Sequence, residues 1–258
     1  MRVRIASTKQ AISVIAAHDA AQALREAISA QGTARLTLAS AASQLDMLAE
    51  LVCAPELDWS RVAMFHLDEY IGMAADHPAS FRRFLRERFL AHVPSLAASH
   101  FIEGDAPDTG AEIARVSRLV GEAAVDVACI GIGENGHLAF NDPPADFETD
   151  EPFIPVELDE ACRRQQLGEG WFPTLDDVPR RAISMSIRQI LRSRRLVVVV
   201  PDGRKAVAVR DAVAGPLTNE VPASILRVHP SCTLYLDEAA ASLLPGEVLW
   251  AAREAGGW

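Results

Sequence analysis

The stretch GIGENGHLAFNDPP (131–144) sets His137 among small, flexible residues, with carboxylates at Glu134 and Asp142 around it and Asn135 just before the Gly-His pair. Histidine titrates near neutral pH, so such a loop offers proton transfer. A lone histidine is more often structural, but a glycine-rich loop after a buried strand shifts the balance toward function. The glycines permit positive φ and close approach of backbone to a ligand. Gly131, Gly133 and Gly136 do not have the spacing of a dinucleotide fingerprint. HLDEY (66–70) carries adjacent acids, Asp68 and Glu69. Neighbours on an extended chain point to opposite sides, so at most one of them faces a site while the other pairs elsewhere. A carboxylate in a partly dry pocket has a raised pKa and can serve as a general base.

Two further stretches suit an anion. LASAAS (38–43) joins a strand to a helix, and Ser40 and Ser43, flanking Ala41 and Ala42, can hold a phosphate with the N–H groups of the helix start. The plainer reading is an N-cap by Ser40 or Ser43. PDGRK (201–205) puts Lys205 in the first turn of a helix, where the dipole disfavours a cation unless an anion binds nearby. CRRQQ (162–166) adds Arg163 and Arg164 as guanidinium partners for a phosphate.

These residues need elements to position them. Helical spacing covers 8 to about 30, closed by Gly32, then 42–52, 78–93, 110–123 capped by Asp108 or Thr109, 186–193 and 203–215. Strands are expected at 35–40, 61–70, 100–104, 125–133, 181–187, 195–201 and 232–240. VDVACIGIG and RLVVVVP are continuously apolar, as strands buried on both faces are. Strand and helix alternate, so the fold class is α/β with a mainly parallel sheet and helices on both faces. One domain spanning 1–258 is the simplest reading, with 142–180 as a long excursion and candidate lid. In open parallel sheets ligands bind beyond the carboxyl ends of strands, and LASAAS, HLDEY, GIGENGH and PDGRK all sit at such ends. Their convergence on one edge would make a single site.

Composition narrows the partners. The 258-residue chain is 49% hydrophobic and 23% charged, ordinary for a globular protein, with a formal net charge of −10. That charge argues against nucleic acid and requires a local positive cluster for any anionic substrate. No stretch reaches the ~20 apolar residues of a membrane helix, and the start has no signal-peptide apolar core. Cys53, Cys129, Cys162 and Cys232 lack the spacing of a zinc site in the chain and read as buried small hydrophobes in a reducing compartment. A cytoplasmic location follows as the expectation.

Taken together, the stretches resemble the glucosamine-6-phosphate deaminase/isomerase family over most of the chain. FHLDEYIG (65–72) followed by HPASF (77–81) is similar to that family's FNxDEY-G…HP-S-F segment, and GIGENGHLAFNDP (131–143) to its Gly-His-x-Ala-Phe-Asn-Glu-Pro loop. PDGRKAVAV (201–209) resembles the stretch holding its phosphate-binding lysine, and PASILRVHP (222–230) its late S-x-L-x-x-H segment. The related 6-phosphogluconolactonases carry DER and DGH-T-A-S-L-F-P at the first two places, unlike this chain.

The resemblance implies a modified Rossmann-like fold of the glucosamine-6-phosphate isomerase type. It implies conversion of glucosamine 6-phosphate and water to fructose 6-phosphate and ammonium, without metal or redox cofactor. Asp68 matches the general base, His137 the ring-opening histidine, and Asp142 a relay glutamate that orients it. Lys205 and residues 40–43 match the phosphate site, with Arg163, Arg164 and Glu69 as further substrate-binding candidates. Three departures stand out. Asn135 replaces an aspartate and cannot carry a proton, with Glu134 beside it as a candidate replacement. Asp142 is shorter than glutamate. The alanines at 41 and 42 disfavour positive φ where glycine is frequent. Lactone hydrolysis is the second reading, a non-catalytic sugar-phosphate sensor the third. Family members differ in assembly, so a homo-oligomer is allowed.

Overall fold

VDVACIGIG and RLVVVVP are apolar at successive positions because both of their faces are covered. In the computed structural model, which describes residues 1–255, they form β6 (Val127–Ile130) and β9 (Arg195–Val200). Both belong to a seven-stranded sheet. Its spatial order is β1 (Arg2–Ala6), β10 (Cys232–Asp237), β9, β6, β2 (Ala34–Leu38), β3 (Val62–His66) and β5 (Ala98–His100). Every pairing in it is parallel. Ala128, Ile130, Leu196 and Val198 face one apolar layer, while Val127, Cys129, Val197 and Val199 face the other. The period of two thus serves two cores.

Helices cover each face. α1 (Lys9–Gln31), α2 (Leu45–Val52) and α3 (Phe81–Arg88) bury their apolar stripes on one side. α4 (Thr109–Gly121), α6 (Ile187–Leu191), α7 (Ala206–Ala214) and α8 (Gly246–Ala255) lie on the other. Thr8 caps α1 by accepting from Ala11 N–H, and Gly32 closes it at φ 82°. Asp108, one of the two residues expected to do so, caps α4. From β2 the chain moves outward through β3 and β5; from β6 it moves the opposite way through β9 and β10. The strand order therefore reverses between β2 and β6, which opens a crevice at their carboxyl ends.

A second, antiparallel sheet stands over that edge: β4 (Asp68–Tyr70), β8 (Arg181–Met185) and β7 (Phe153–Glu157). It corrects the single strand expected over 61–70. The run splits at Leu67, whose carbonyl accepts from Met185 N–H at 2.7 Å, and the chain changes sheets there. Apolar periodicity does not register a change of pairing partner, so the split is invisible in composition. The stretch 142–180 holds β7, α5 (Glu160–Gly168) and a 3-10 turn at Leu175–Asp177. β1 and α8 are not among the elements expected from the sequence. Helix 78–93 shortens to α3 plus a turn at Leu90–His92, and the strand near 100–104 lies at 98–100. Among the described residues no helix is long and apolar enough to cross a membrane.

Candidate active site

The carboxyl ends of β2, β3, β6 and β9, adjacent in the sheet, open into one cleft. Ser40 to Ser43, Asp68, Glu134, His137 and Lys205 all line it. The four stretches singled out in the sequence therefore meet on one edge, and Asp68 and His137 face the same space.

Asp68 is the first residue of β4, where it pairs with Ser184. It is 7% exposed. Burial, with the negative charge of Glu69 next to it, pushes its carboxyl up to about 8. Glu69 points the other way, as the extended backbone requires, and does not line the cleft. It is fully buried and accepts from Tyr70 N–H (3.0 Å), Ser80 Oγ (2.8 Å), Phe81 N–H (3.3 Å) and Arg82 N–H (3.0 Å). Burial holds its pKa above the usual range in spite of those donors. Glu69 is thus corrected from a substrate-binding candidate to the anchor of the α3 N-terminus. Arg82, 1% exposed, lies 3.5 Å from it and also pairs with Glu103 and Asp105.

The loop after β6 holds His137 by its backbone. Gly133 N–H donates to His137 C=O at 2.9 Å, and Asn135 Oδ1 accepts from His137 N–H at 3.1 Å. A Cβ on Gly133 would sit 2.3 Å from the imidazole, so the ring lies flush against that glycine. Gly136 takes φ 86°, the left-handed region that suits glycine. Behind the ring, Nδ1 lies 3.0 Å from Asp142 Oδ1, close enough for an ion pair but off the axis of a straight hydrogen bond. Asn135 Nδ2 donates to the same oxygen at 3.1 Å, and Asp159 N–H to the other at 3.4 Å. Burial acts to raise the Asp142 pKa, but the imidazole of His137 beside it and the donors Asn135 and Asp159 outweigh it and hold it low. Asn135 acts as a bracket between ring backbone and acid. Glu134 lines the cleft, and its N–H donates to Gln165 Oε1 at 2.9 Å.

At the other end the serines are not N-caps. Ala41 precedes the turn 42–44 and Gln44 precedes α2, neither with a side-chain cap. Ser40 Oγ is buried without a partner, and Ser43 Oγ accepts only from Gln44 Nε2 at 3.2 Å. Ala41 has φ −129°, and neither alanine takes positive φ, so the expected backbone penalty does not arise. Lys205 ends a 3-10 turn (Gly203–Lys205) and is 8% exposed; burial lowers its pKa. Among the described residues no carboxylate lies within ion-pair distance of it. Asp202 starts that turn at φ 87°, which non-glycine residues rarely adopt, and its carboxylate accepts from Arg204 N–H at 3.0 Å.

Arg163 and Arg164 are corrected: neither lines the cleft. Arg163 is buried and turned to the segment after α5, bonded to the carbonyls of Leu175 and Val178. Arg164 is exposed and pairs with Glu160 one turn earlier. α5 and its C-cap residue supply Gln165, Gln166 and Glu169 to the cleft instead, and Gln166 accepts from Tyr70 OH at 2.8 Å. Lys9 and Arg204 also line it. The sequence reading had missed these five. The helical spacing 165, 166, 169 in a stretch read as loop was the available signal.

A family profile described as "Glucosamine-6-phosphate isomerases/6-phosphogluconolactonase" matches residues 7–235. The "Glucosamine-6-phosphate deaminase" of Exiguobacterium sp. is 40% identical over 219 residues, 85% of this chain and 84% of the relative. A structure reported as a monomeric glucosamine-6-phosphate deaminase superposes with a TM-score of 0.86 at 31% identity, over 94% of this chain and 100% of its own. A 6-phosphogluconolactonase from Shewanella baltica has a TM-score of 0.76 at 21% identity, over 92% and 97%, which is likeness of fold.

Proposed function

The chain belongs to the glucosamine-6-phosphate isomerase/6-phosphogluconolactonase family, and from that premise we propose that it converts glucosamine 6-phosphate and water to fructose 6-phosphate and ammonium. The observation that carries this reading is the meeting of Asp68, His137 and Lys205 in one cleft. The phosphate sits against Ser40 to Ser43 and Lys205, the end with an unpartnered hydroxyl and an unpaired cation. His137, backed by Asp142, exchanges a proton with the ring oxygen and opens the sugar. Asp68, ionised, takes the proton from C2 of the open-chain amino aldehyde and returns it at C1, while one ammonium proton passes to O1, so that the enolamine becomes a protonated imine at C2. Water then adds at C2 and ammonium leaves. Binding energy from the phosphate orients the distant carbons.

α5 bears on the same cleft through Gln165, Gln166 and Glu169, which supports a lid role for part of 142–180. The similar deaminase structure is reported as monomeric, which supports action as a single chain. Cys129, Cys162 and Cys232 are buried and free, whereas Cys53, just after α2, is exposed against the expectation; free thiols support a reducing, cytoplasmic setting. The test is coupled detection of ammonium and fructose 6-phosphate from glucosamine 6-phosphate. Hydrolysis of 6-phosphogluconolactone without ammonia release, or full turnover by Asp68→Asn, overturns the reading.

A further inference from the structure

Cys162 lies on α5, 1% exposed, and no step of the reaction above uses it. Its Sγ, a ring nitrogen of His137 and a carboxylate oxygen of Asp142 lie within 4.8 Å of one another. His137 and Asp142 lie five residues apart in one loop, and Cys162 follows twenty residues later on α5, so no cysteine–histidine spacing motif announces the set. A second observation points the same way. His137 Nδ1 is buried and makes no straight hydrogen bond, although Asp142 Oδ1 is 3.0 Å away. An imidazole nitrogen, a carboxylate and a thiol form a donor set for a borderline-soft divalent cation; calcium and magnesium prefer oxygen alone.

We propose that His137, Asp142 and Cys162 form a binding site for a borderline-soft divalent cation, typified by Zn²⁺, whose occupation withdraws His137 from proton exchange. The charges balance: a dication meets one carboxylate and one thiolate, leaving a neutral site, which burial favours. The Cys162 thiol releases its proton to solvent on binding. His137 gives the Nδ1 lone pair and keeps its proton on Nε2, a tautomer change with no redox step. Water completes a tetrahedral shell. The Asp142 side chain is 7% exposed, and its second oxygen accepts from Asp159 N–H at 3.4 Å, where the exposed acids Asp159 and Glu160 begin α5. A ring fixed at Nδ1 no longer trades protons with Asp142. Ser40, Ser43 and Lys205 take no part, so substrate still binds while turnover falls.

Cation binding does not depend on the reaction; the loss of turnover rests on the reading given above. The experiment uses the full chain and Co²⁺ as the spectroscopic probe. The native protein and Cys53→Ser are expected to show thiolate-to-cobalt charge-transfer absorption, displaced by Zn²⁺. Cys162→Ser and Cys162→Ala lack it; the alanine variant is read if serine prevents folding, as judged by circular dichroism. In the deaminase assay Zn²⁺ lowers kcat at least tenfold, reversed by EDTA, with KM within twofold. The Cys162 variants need at least tenfold more Zn²⁺ for the same loss. No charge-transfer band in the native protein, a band that survives in the Cys162 variants, or equal Zn²⁺ inhibition of native and variant overturns the proposal. If the native protein shows no turnover of glucosamine 6-phosphate, the cobalt band alone decides the site.

Discussion

Asp68 works as a base only when ionised, and burial beside Glu69 moves its carboxyl up to about 8. The ionised fraction in the free enzyme therefore grows as pH rises through that value, and kcat/KM is expected to climb from pH 6, reach half its maximum near 8 and level off about one unit higher. A flat profile from 6 to 9 would remove Asp68 from the role. The same shift bears on stability. The folded protein binds more protons at this carboxyl than the unfolded chain between about pH 4 and 8, so its contribution falls as pH rises through that window. Asp68→Asn should lose 10² to 10⁴ of turnover, as removal of a general base does, yet show less loss of stability between pH 5 and 8.5 in urea melts. At the neighbouring loop the limit is steric. A Cβ on Gly133 would meet the His137 ring at 2.3 Å, so Gly133→Ala should cut kcat by about tenfold or more through misplacement of the imidazole, with KM little altered.

The adjacent acids divide their labour between two elements. Asp68 opens on the cleft, whereas Glu69 ties β4 to the first turn of α3 through Ser80, Phe81 and Arg82. Removing one partner of a buried pair leaves the other charge stranded. Arg82→Met should therefore cost about 3–5 kcal/mol, read as a lowered urea midpoint, while the KM of the folded fraction stays near native. A large rise in KM with unchanged stability would instead place Arg82 at the substrate. The alternation of the acids was legible in the sequence because the strand period fixes sidedness locally. The buried strands β6 and β9 were legible for the same reason, and so was the meeting of four strand ends, which follows from parallel topology. The jump between sheets at Leu67 was not, because Val62 to Tyr70 stays apolar enough to read as one strand. The face of α5 was not either: Arg163 and Arg164 looked like phosphate ligands by charge. Their direction depends on the helix's rotation against Tyr70 and Val178, a tertiary fact.

Across the whole molecule the net charge of −10 opposes the approach of a phosphate dianion, so affinity must come from the few groups that differ from their surroundings. Lys205, buried and without an ion-pair partner among the described residues, and Ser40, with a buried unpartnered hydroxyl, are those groups. A ligand that joins them satisfies both at once and binds only the folded chain. Fructose 6-phosphate at a hundred times its Kd should then add about 2.7 kcal/mol of stability. For a chain of this size that corresponds to a rise in Tm of about 5–10 °C. Lys205→Ala should lose most of the rise, because the dianion then meets the acidic field with only hydroxyls and backbone to hold it, while Arg164→Ala, on the outer face of α5, should keep it. Differential scanning fluorimetry over a ligand titration reads both variants in the same experiment. A full rise in Lys205→Ala would put the phosphate elsewhere in the cleft, with Lys9 and Arg204 as the remaining cations along its lining.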